Sequence, residues 1–442
     1  MSRFLPLFLT LLMAMPAFTQ DKVELLRQFT TPIHSVSIAD TSDADLQGLA
    51  TAIGNSRIVM LGEMDNGDGE TFKAKARIVR YLHQKLGFTV LAFESDFYST
   101  NALWDKYQNG DSALQSVWGV WTEVEEFHDM AQYISQYSKG TDPLAITGFD
   151  CQVFYQPGMV DFLRQSSSLL HAMGYNQTEA RNYLNTLVKA NDYDTSKRMP
   201  DTTISYLRNF TIRVMNDIRS NPALDSSGMW LQTFNSMMGN AANCWLNRRV
   251  PVGYNFFRIQ MDGTIHDRQM ADNLRWLANN KYKDRKIIVW GNNQHVSKNS
   301  DLLDVDLSNY RKTQNTTMGS ELAKIFKDDV FTIGFSSFDG TSGSPFQRNL
   351  KPYEIRPLGK NDWYTNTMAS SKMNYAFSDF RAISKTPVAN SHFIMRGWGY
   401  QYEMEGQWFN VFDGMFFIRT QRHGEQRGDT DYIFEEAVSS KQ

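Results

Sequence analysis

Five short apolar runs in this chain end in residues able to carry acid–base or anion-binding chemistry. The first, Arg57-Ile58-Val59-Met60-Leu61, leads into the acidic, glycine-bracketed turn Gly62-Glu63-Met64-Asp65-Asn66-Gly67. The second ends in Glu94 and Asp96, and the third in Asp150 and Gln152. The fourth ends in Asn292, Asn293 and His295, and the fifth in Ser336 and Ser337. If the runs are parallel strands, these side chains converge on the crevice beyond the carboxyl ends, where open α/β sheets bind their ligands. Carboxylates gathered with one histidine suit general acid–base hydrolysis. Arg77, on the segment that follows the first turn, would steady an anionic intermediate. Helical spacing puts it on one face with Glu70 and Lys73.

Each of these residues also has a purely structural reading. Glu63 could cap local backbone N–H groups. Arg77 could be a solvated helix residue, Glu94 its buried partner, and His295 a satisfied structural histidine. Trp121 and Glu123, with Trp118, could line a pocket, although aromatic side chains belong more often to cores. The other seven histidines (34, 83, 128, 171, 266, 392 and 423) show no ligand spacing of the His-Glu-x-x-His kind. Asp65, Asp68 and Glu70 beside Gly67 and Gly69 hint at a cation loop but miss the EF-hand spacing, so no metal is assigned and no cofactor is called for. Neither a Gly-x-Ser-x-Gly elbow nor a phosphate-binding glycine motif occurs.

The elements that must position this chemistry follow from hydrophobic pattern. Strands are expected at 57–63, Thr89–Ser95, Leu144–Asp150, Lys286–Asn292 and Val330–Ser336, each a continuous apolar run of the kind buried on both faces of a parallel sheet. Between them, Glu70–Leu86 carries Phe72, Val79, Leu82 and Leu86 on one helical face, and Gly87 is placed to end it. His266–Asn279 repeats the pattern with Met270, Leu274 and Leu277, and a short helix, Asp45–Ile53, delivers the first strand. Residues 21–42 read as an extended lead-in, and Asn410–Ile418 as a last strand closing the sheet. The fold class is α/β, with a mainly parallel central sheet flanked by helices. Residues 21–155 and 251–442 form its two parts, and 156–250 form a lid-like helical insertion.

With 442 residues and a net charge of −3, the chain has a large core and no basic stripe that would point to nucleic acid. Residues 1–20 read as a signal peptide: Arg3, an apolar run from Phe4 to Met15, then Pro16 to Gln20 as the cleavage region. No cysteine follows the run, which argues against a lipid anchor, and no later stretch is long enough to span a membrane. A periplasmic or secreted protein with a small-molecule ligand or substrate is expected. Export permits a disulfide between Cys151 and Cys244, but two buried free thiols is the preferred reading.

The order of the motifs carries a resemblance. Gly62-Glu63-Met64-Asp65-Asn66-Gly67 is similar to a Gly-Glu-x-x-His-Gly turn, and Lys75-Ala76-Arg77 to a Lys-x-Arg element. Phe93-Glu94, Trp118 to Glu123, and Gly148-Phe149-Asp150-Cys151-Gln152 follow in order. Asp267 to Asn273 then matches an Arg-Asp-x-x-Met-x-x-Asn helix, and Trp290 to His295 matches a Trp-x-His-Asn-x-His turn. In these features the chain resembles the erythromycin esterase family over roughly residues 40–340.

That resemblance implies an α/β core with helical additions and metal-independent hydrolysis of a macrolide lactone. The histidine of the first turn would be the base that activates water, completed by the glutamate three residues earlier and by the histidines of the later turn. Glu63, Arg77, Glu94 and His295 stand at matching positions, but Asn66 and Asn292 stand where the family has histidine. An amide is no general base.

Three readings result. The first is an exported ester or lactone hydrolase with altered chemistry. Glu63 and His295 would activate water, Arg77 and Asn66 would stabilise an anion, and Glu94 would orient Arg77. Asn292, Asp150, Trp121 and Glu123 would contact the substrate. The second is a ligand-binding pseudoenzyme of the same fold. The third and weaker reading is a divalent-metal hydrolase using Glu63, Asp65, Glu94 and His295.

Overall fold

The computed structural model describes residues 22–140, 143–153, 156–192, 199–247, 255–304, 316–343, 351–357, 361–401 and 403–427, with only the backbone described at 156, 247, 255–263 and 304. The expected signal peptide lies outside these residues. Nine strands build the central sheet: β1 (Thr30–Ile33), β2 (Ile58–Leu61), β3 (Phe88–Asp96), β4 (Ala145–Asp150), β5 (Lys286–Trp290), β6 (Val330–Ser342), β7 (Tyr353–Ile355), β8 (Tyr375–Asp379) and β9 (Gly414–Gln421). Their order is β1-β8-β9-β6-β2-β5-β3-β4, with β7 paired to the far end of β6. From β9 to β4 every pairing is parallel. The runs Ile58–Leu61, Val90–Phe93 and Ile287–Trp290 have no polar face because helices cover both sides of the sheet.

The sequence places β2 to β5 within two residues at each end, but β6 runs on to Ser342, so Ser336 and Ser337 lie inside it and not at its end, and one edge is missed. The lead-in contributes β1, which pairs antiparallel with β8 through Thr30↔Ser378, and β8 pairs antiparallel with β9. The closing strand begins at Gly414, later than expected, because Trp408–Asn410 forms a 3-10 turn.

Gly69–Leu86 is helical as its pattern requires, and Gly87 ends it in the left-handed conformation at φ 73°. Residues 156–247 contribute the helices Gln156–Ala172, Gln177–Ala190, Asp201–Ser220 and Met229–Asn247. They hold a hydrophobic cluster of their own, centred on Tyr183, Leu187, Leu207, Val214 and Phe234. The helix Asn255–Trp276 crosses from this layer to the sheet, and Asn273 donates to the carbonyl of Phe149 at 2.9 Å. Cys151 and Cys244 are both buried free thiols.

Candidate active site

Strand register decides what converges. Leu61 pairs with Trp290, Trp290 with Phe93, and Phe93 with Gly148, so these four residues form one row across the sheet. Glu94 follows that row by one residue, and Glu63, Asp150 and Asn292 follow it by two. β3 then gains one residue on β4: Phe93 faces Gly148, whereas Asp96 faces Asp150. This bulge at Glu94–Ser95 bends the strand at its end. A side chain at 148 would meet it, since a Cβ there would lie 2.5 Å from the carbonyl oxygens of Ser95 and Asp96. Glycine is required by that close approach.

Glu63 is fully buried and has no oxygen to spare. Lys75 Nζ donates to its Oε2 at 2.7 Å, and Trp121 Nε1 donates to its Oε1 at 2.9 Å. Lys75 also donates to the carbonyl of Gly291 at 3.1 Å and sits 4.2 Å from the centroid of the Trp290 ring. Burial pushes the Glu63 carboxyl up to about 7, against the pull of Lys75, and burial holds Lys75 below the ordinary lysine range.

His295 stands between two carboxylates. Its Nδ1 donates to Asp267 Oδ1 at 2.9 Å, and its Nε2 lies 3.5 Å from Glu94 Oε1. The second oxygen of Glu94 accepts the backbone N–H of Asn292 at 3.1 Å. Asp267 is buried and also accepts the N–H of Met318 at 2.8 Å, which fixes the imidazole from behind. Burial opposes charge on His295, but Asp267 and Glu94 outweigh it and raise the imidazole to about 9. Burial raises Glu94 above the usual carboxylate range, with His295 pulling the other way. The His295 imidazole is therefore held protonated at neutral pH, with Asp267 on one side and Glu94 on the other.

Beside it, His266 Nε2 donates to Asp150 Oδ1 at 2.6 Å, and its ring centroid lies 5.6 Å from that of His295. The imidazole is held well above its ordinary range: burial is the largest influence and works against charge, but Asp150 and Cys151 overcome it. Burial pushes the Cys151 thiol up to about 11.

The other expected site residues divide. Arg77 does not join this group. It is buried on the far side of its helix, where its two terminal nitrogens bond Asp45 at 2.9 and 2.8 Å and the carbonyls of Ser35 and Ser42 at 2.6 Å each. Glu94 accordingly faces His295 and not Arg77. Asn292 caps the four-residue helix Asn293–Val296, its Oδ1 accepting from Gln294 N at 2.8 Å. Asn66 and Glu123 are half-buried, as is Gln152. Asp96 caps the helix Phe97–Tyr107 through the N–H groups of Tyr98 and Ser99. Ser336 is buried with its hydroxyl unpaired, and Ser337 Oγ lies 3.3 Å from Tyr400 OH.

The carboxylates of the acidic turn are spoken for separately. Asp68 accepts from Ser342 Oγ at 2.7 Å and Tyr400 OH at 2.9 Å, and Asp65 accepts from Tyr353 OH at 2.5 Å. Glu70 bonds Lys73 and Tyr375.

Three residues of the group escape the strand-end reasoning. Lys75 was visible only as the neighbour of Arg77 in the Lys-x-Arg element. His266 and Asp267 come from a crossing helix: the signal for His266 is that the helical pattern begins there, and Asp267 was visible as the first matched residue of the Asp267–Asn273 motif.

Comparison with known proteins agrees with this architecture. The family model described as erythromycin esterase matches residues 83–421. The putative hydrolase YbfO of Bacillus subtilis (strain 168) is 27% identical over 335 residues, 72% of this chain and 73% of that protein. Erythromycin esterase type II of Escherichia coli is 24% identical over 333 residues, 72% of this chain and 77% of that protein. A mutant of erythromycin esterase EreC, solved in its open conformation, superposes with a TM-score of 0.64 at 15% identity, covering 91% of this chain and 99% of that one. The family match spans most of the sheet and every strand end of the site except the Glu63 turn, and the chain belongs to the erythromycin esterase family.

Proposed function

We infer that this hydrolase of the erythromycin esterase family cleaves a carboxylic ester or lactone with Glu94 and His295 as its working pair. The observation that carries this is the Asp267–His295–Glu94 array, three residues from three elements with 2.9 and 3.5 Å between them. Oε1 of Glu94 is the oxygen left for a water, and it takes a proton as that water attacks the acyl carbon. The N–H on His295 Nε2 donates to the carbonyl oxygen as it becomes an oxyanion. Collapse breaks the acyl C–O bond, and the proton on Glu94 goes to the departing alkoxide. Glu63, sealed by Lys75 and Trp121, supports the turn that carries Asn66, whose half-buried amide is available to a ligand. The lead segment supports delivery of the mature protein to the periplasm or outside the cell, which N-terminal sequencing of protein recovered from each fraction checks.

The test is hydrolysis of an ester and lactone panel, a macrolide included, by the mature protein, by Glu94→Gln and by His295→Gln. Turnover that falls by 100-fold or more in both variants supports the reading, whereas undiminished rates in both overturn it.

One observation favours a second reading, a ligand-binding protein without turnover. Asn292 spends its oxygen on a helix cap, and on the resemblance amides stand at both positions where the family has histidine. Tight binding of a lactone with no hydrolysis by the wild type would decide for it.

A further inference from the structure

We propose that Asp150, Cys151 and His266 form a zinc site. Among the described residues they are the one group of three His, Cys, Asp or Glu side chains whose donor atoms come together, all within 4.8 Å of one another. All three are buried.

The donor set is a carboxylate oxygen, a thiolate sulfur and an imidazole nitrogen. A borderline-soft ion that accepts all three is zinc, whereas calcium and magnesium take oxygen alone. A thiolate and a carboxylate together carry two negative charges, so a divalent ion makes the buried site neutral. Three protein ligands also leave a fourth tetrahedral position for water or a substrate atom. The imidazole of His295 lies 5.6 Å from that of His266, which puts the group next to the candidate active site.

The backbone holds the ligands in place. Asp150 ends β4 and Cys151 follows it directly. His266 lies two helical turns before Asn273, hence on the same helix face, and Asn273 is anchored to the carbonyl of Phe149 at 2.9 Å. Both sides of the site are thereby tied to one strand end. In a zinc tetrahedron neighbouring donors stand about 3.4 Å apart. The 2.6 Å contact between His266 Nε2 and Asp150 Oδ1 must therefore open by less than about 1 Å, which side-chain rotation supplies.

That contact holds a proton where the ion would sit. Binding therefore transfers the proton of His266 Nε2 and the thiol proton of Cys151 to solvent, and affinity weakens as pH falls. The site uses none of the acidic-turn carboxylates, and it stands whether or not the protein hydrolyses an ester.

The test is binding of Zn(II) and Co(II) to the full mature chain. Dialysis against Zn(II) followed by elemental analysis is expected to leave one equivalent. Co(II) is expected to give the thiolate-to-metal charge-transfer band and the intense visible bands of a four-coordinate ion. Cys151→Ser should abolish the charge-transfer band. His266→Gln should weaken Zn(II) binding by 10-fold or more, with circular dichroism showing that both variants remain folded. If either fails to fold, protection of the wild-type Cys151 thiol from alkylation by Zn(II), with Cys244 as the internal reference, takes its place. No retained zinc, a cobalt spectrum without thiolate character, or binding unchanged in both folded variants would overturn the site, and so would a Cys151 thiol that Zn(II) leaves unprotected.

Discussion

Lys75 Nζ lies 2.7 Å from Glu63 Oε2, with both side chains sealed from solvent. The two sit twelve residues apart, one at the end of β2 and one in the helix that follows it, so their pairing fixes how the turn between them folds. Removing one partner leaves a charge buried alone. Glu63→Gln and Lys75→Met are each expected to destabilise the fold by about 3 kcal/mol or more. The double variant should cost less than their sum by about 2 kcal/mol, read from denaturant midpoints as a double-mutant cycle. Additive costs would show that the pair is not coupled.

The same glutamate sets a pH dependence. Its folded value of about 7 lies above its ordinary 4.5, so the folded chain holds that proton more tightly than the unfolded chain. The stability it contributes is fully present below 4.5 and is lost as pH rises through 7. Melting temperature should therefore fall between about pH 5 and 8, and Glu63→Gln should flatten that slope.

Arg77 should behave as a clamp on the lead-in. Its fork onto Asp45, with the carbonyls of Ser35 and Ser42, ties residues 35–45 to the helix Gly69–Leu86. Arg77→Lys keeps the charge but loses the planar two-pronged geometry. Chemical denaturation should register a loss of about 1–3 kcal/mol, because hydrogen bonds to a charged group are at stake. Hydrolysis per folded molecule should be retained, and a selective loss of turnover would return Arg77 to the site.

Asn293, just past the end of β5, ties that strand end to the end of β2 and to the middle of β6. Its side chain donates to the carbonyls of Phe335 and Gly397 at 2.7 and 2.8 Å and accepts from Phe335 N at 3.0 Å, while its own N–H donates to the carbonyl of Glu63 at 2.8 Å. Gly62 lies against it: a Cβ there would stand 2.1 Å from Asn293 Oδ1 and 3.0 Å from its Cα. Gly62→Ala should therefore separate β2 from the Asn292–His295 turn and lower the melting temperature sharply. Asn293→Ala should cost about 3 kcal/mol through buried groups left unpaired.

The parallel core was legible because strands buried on both faces are continuous apolar runs, and Gly87 announced its helix end. The β1–β8 edge was not, because its partners are some 345 residues apart and β1, Thr-Thr-Pro-Ile, carries little apolar pattern. Glu63, Glu94, Asp150 and His295 were legible as strand ends once a parallel sheet was assumed. Arg77 was misplaced for a geometric reason. Two residues along a helix differ by about 200° in direction, so if Lys75 faces the sheet end, Arg77 faces away. Periodicity could not choose between two basic residues that are both buried. The residues of the crossing helix were hidden because their position depends on where a chain returns after the 156–250 insertion.

Phe97 belongs to the core of the sheet and Tyr98 to that of the helical layer, so two successive residues are gripped by different bodies of packing. Tyr98 is also fastened by its hydroxyl to Asp161 at 2.9 Å, and its ring lies 5.4 Å from that of Phe162. This junction stands three residues beyond Glu94, just past the bulge. The helical layer and the strand end that carries Glu94 are thus joined through two consecutive residues, and the packing of each fixes where the other sits.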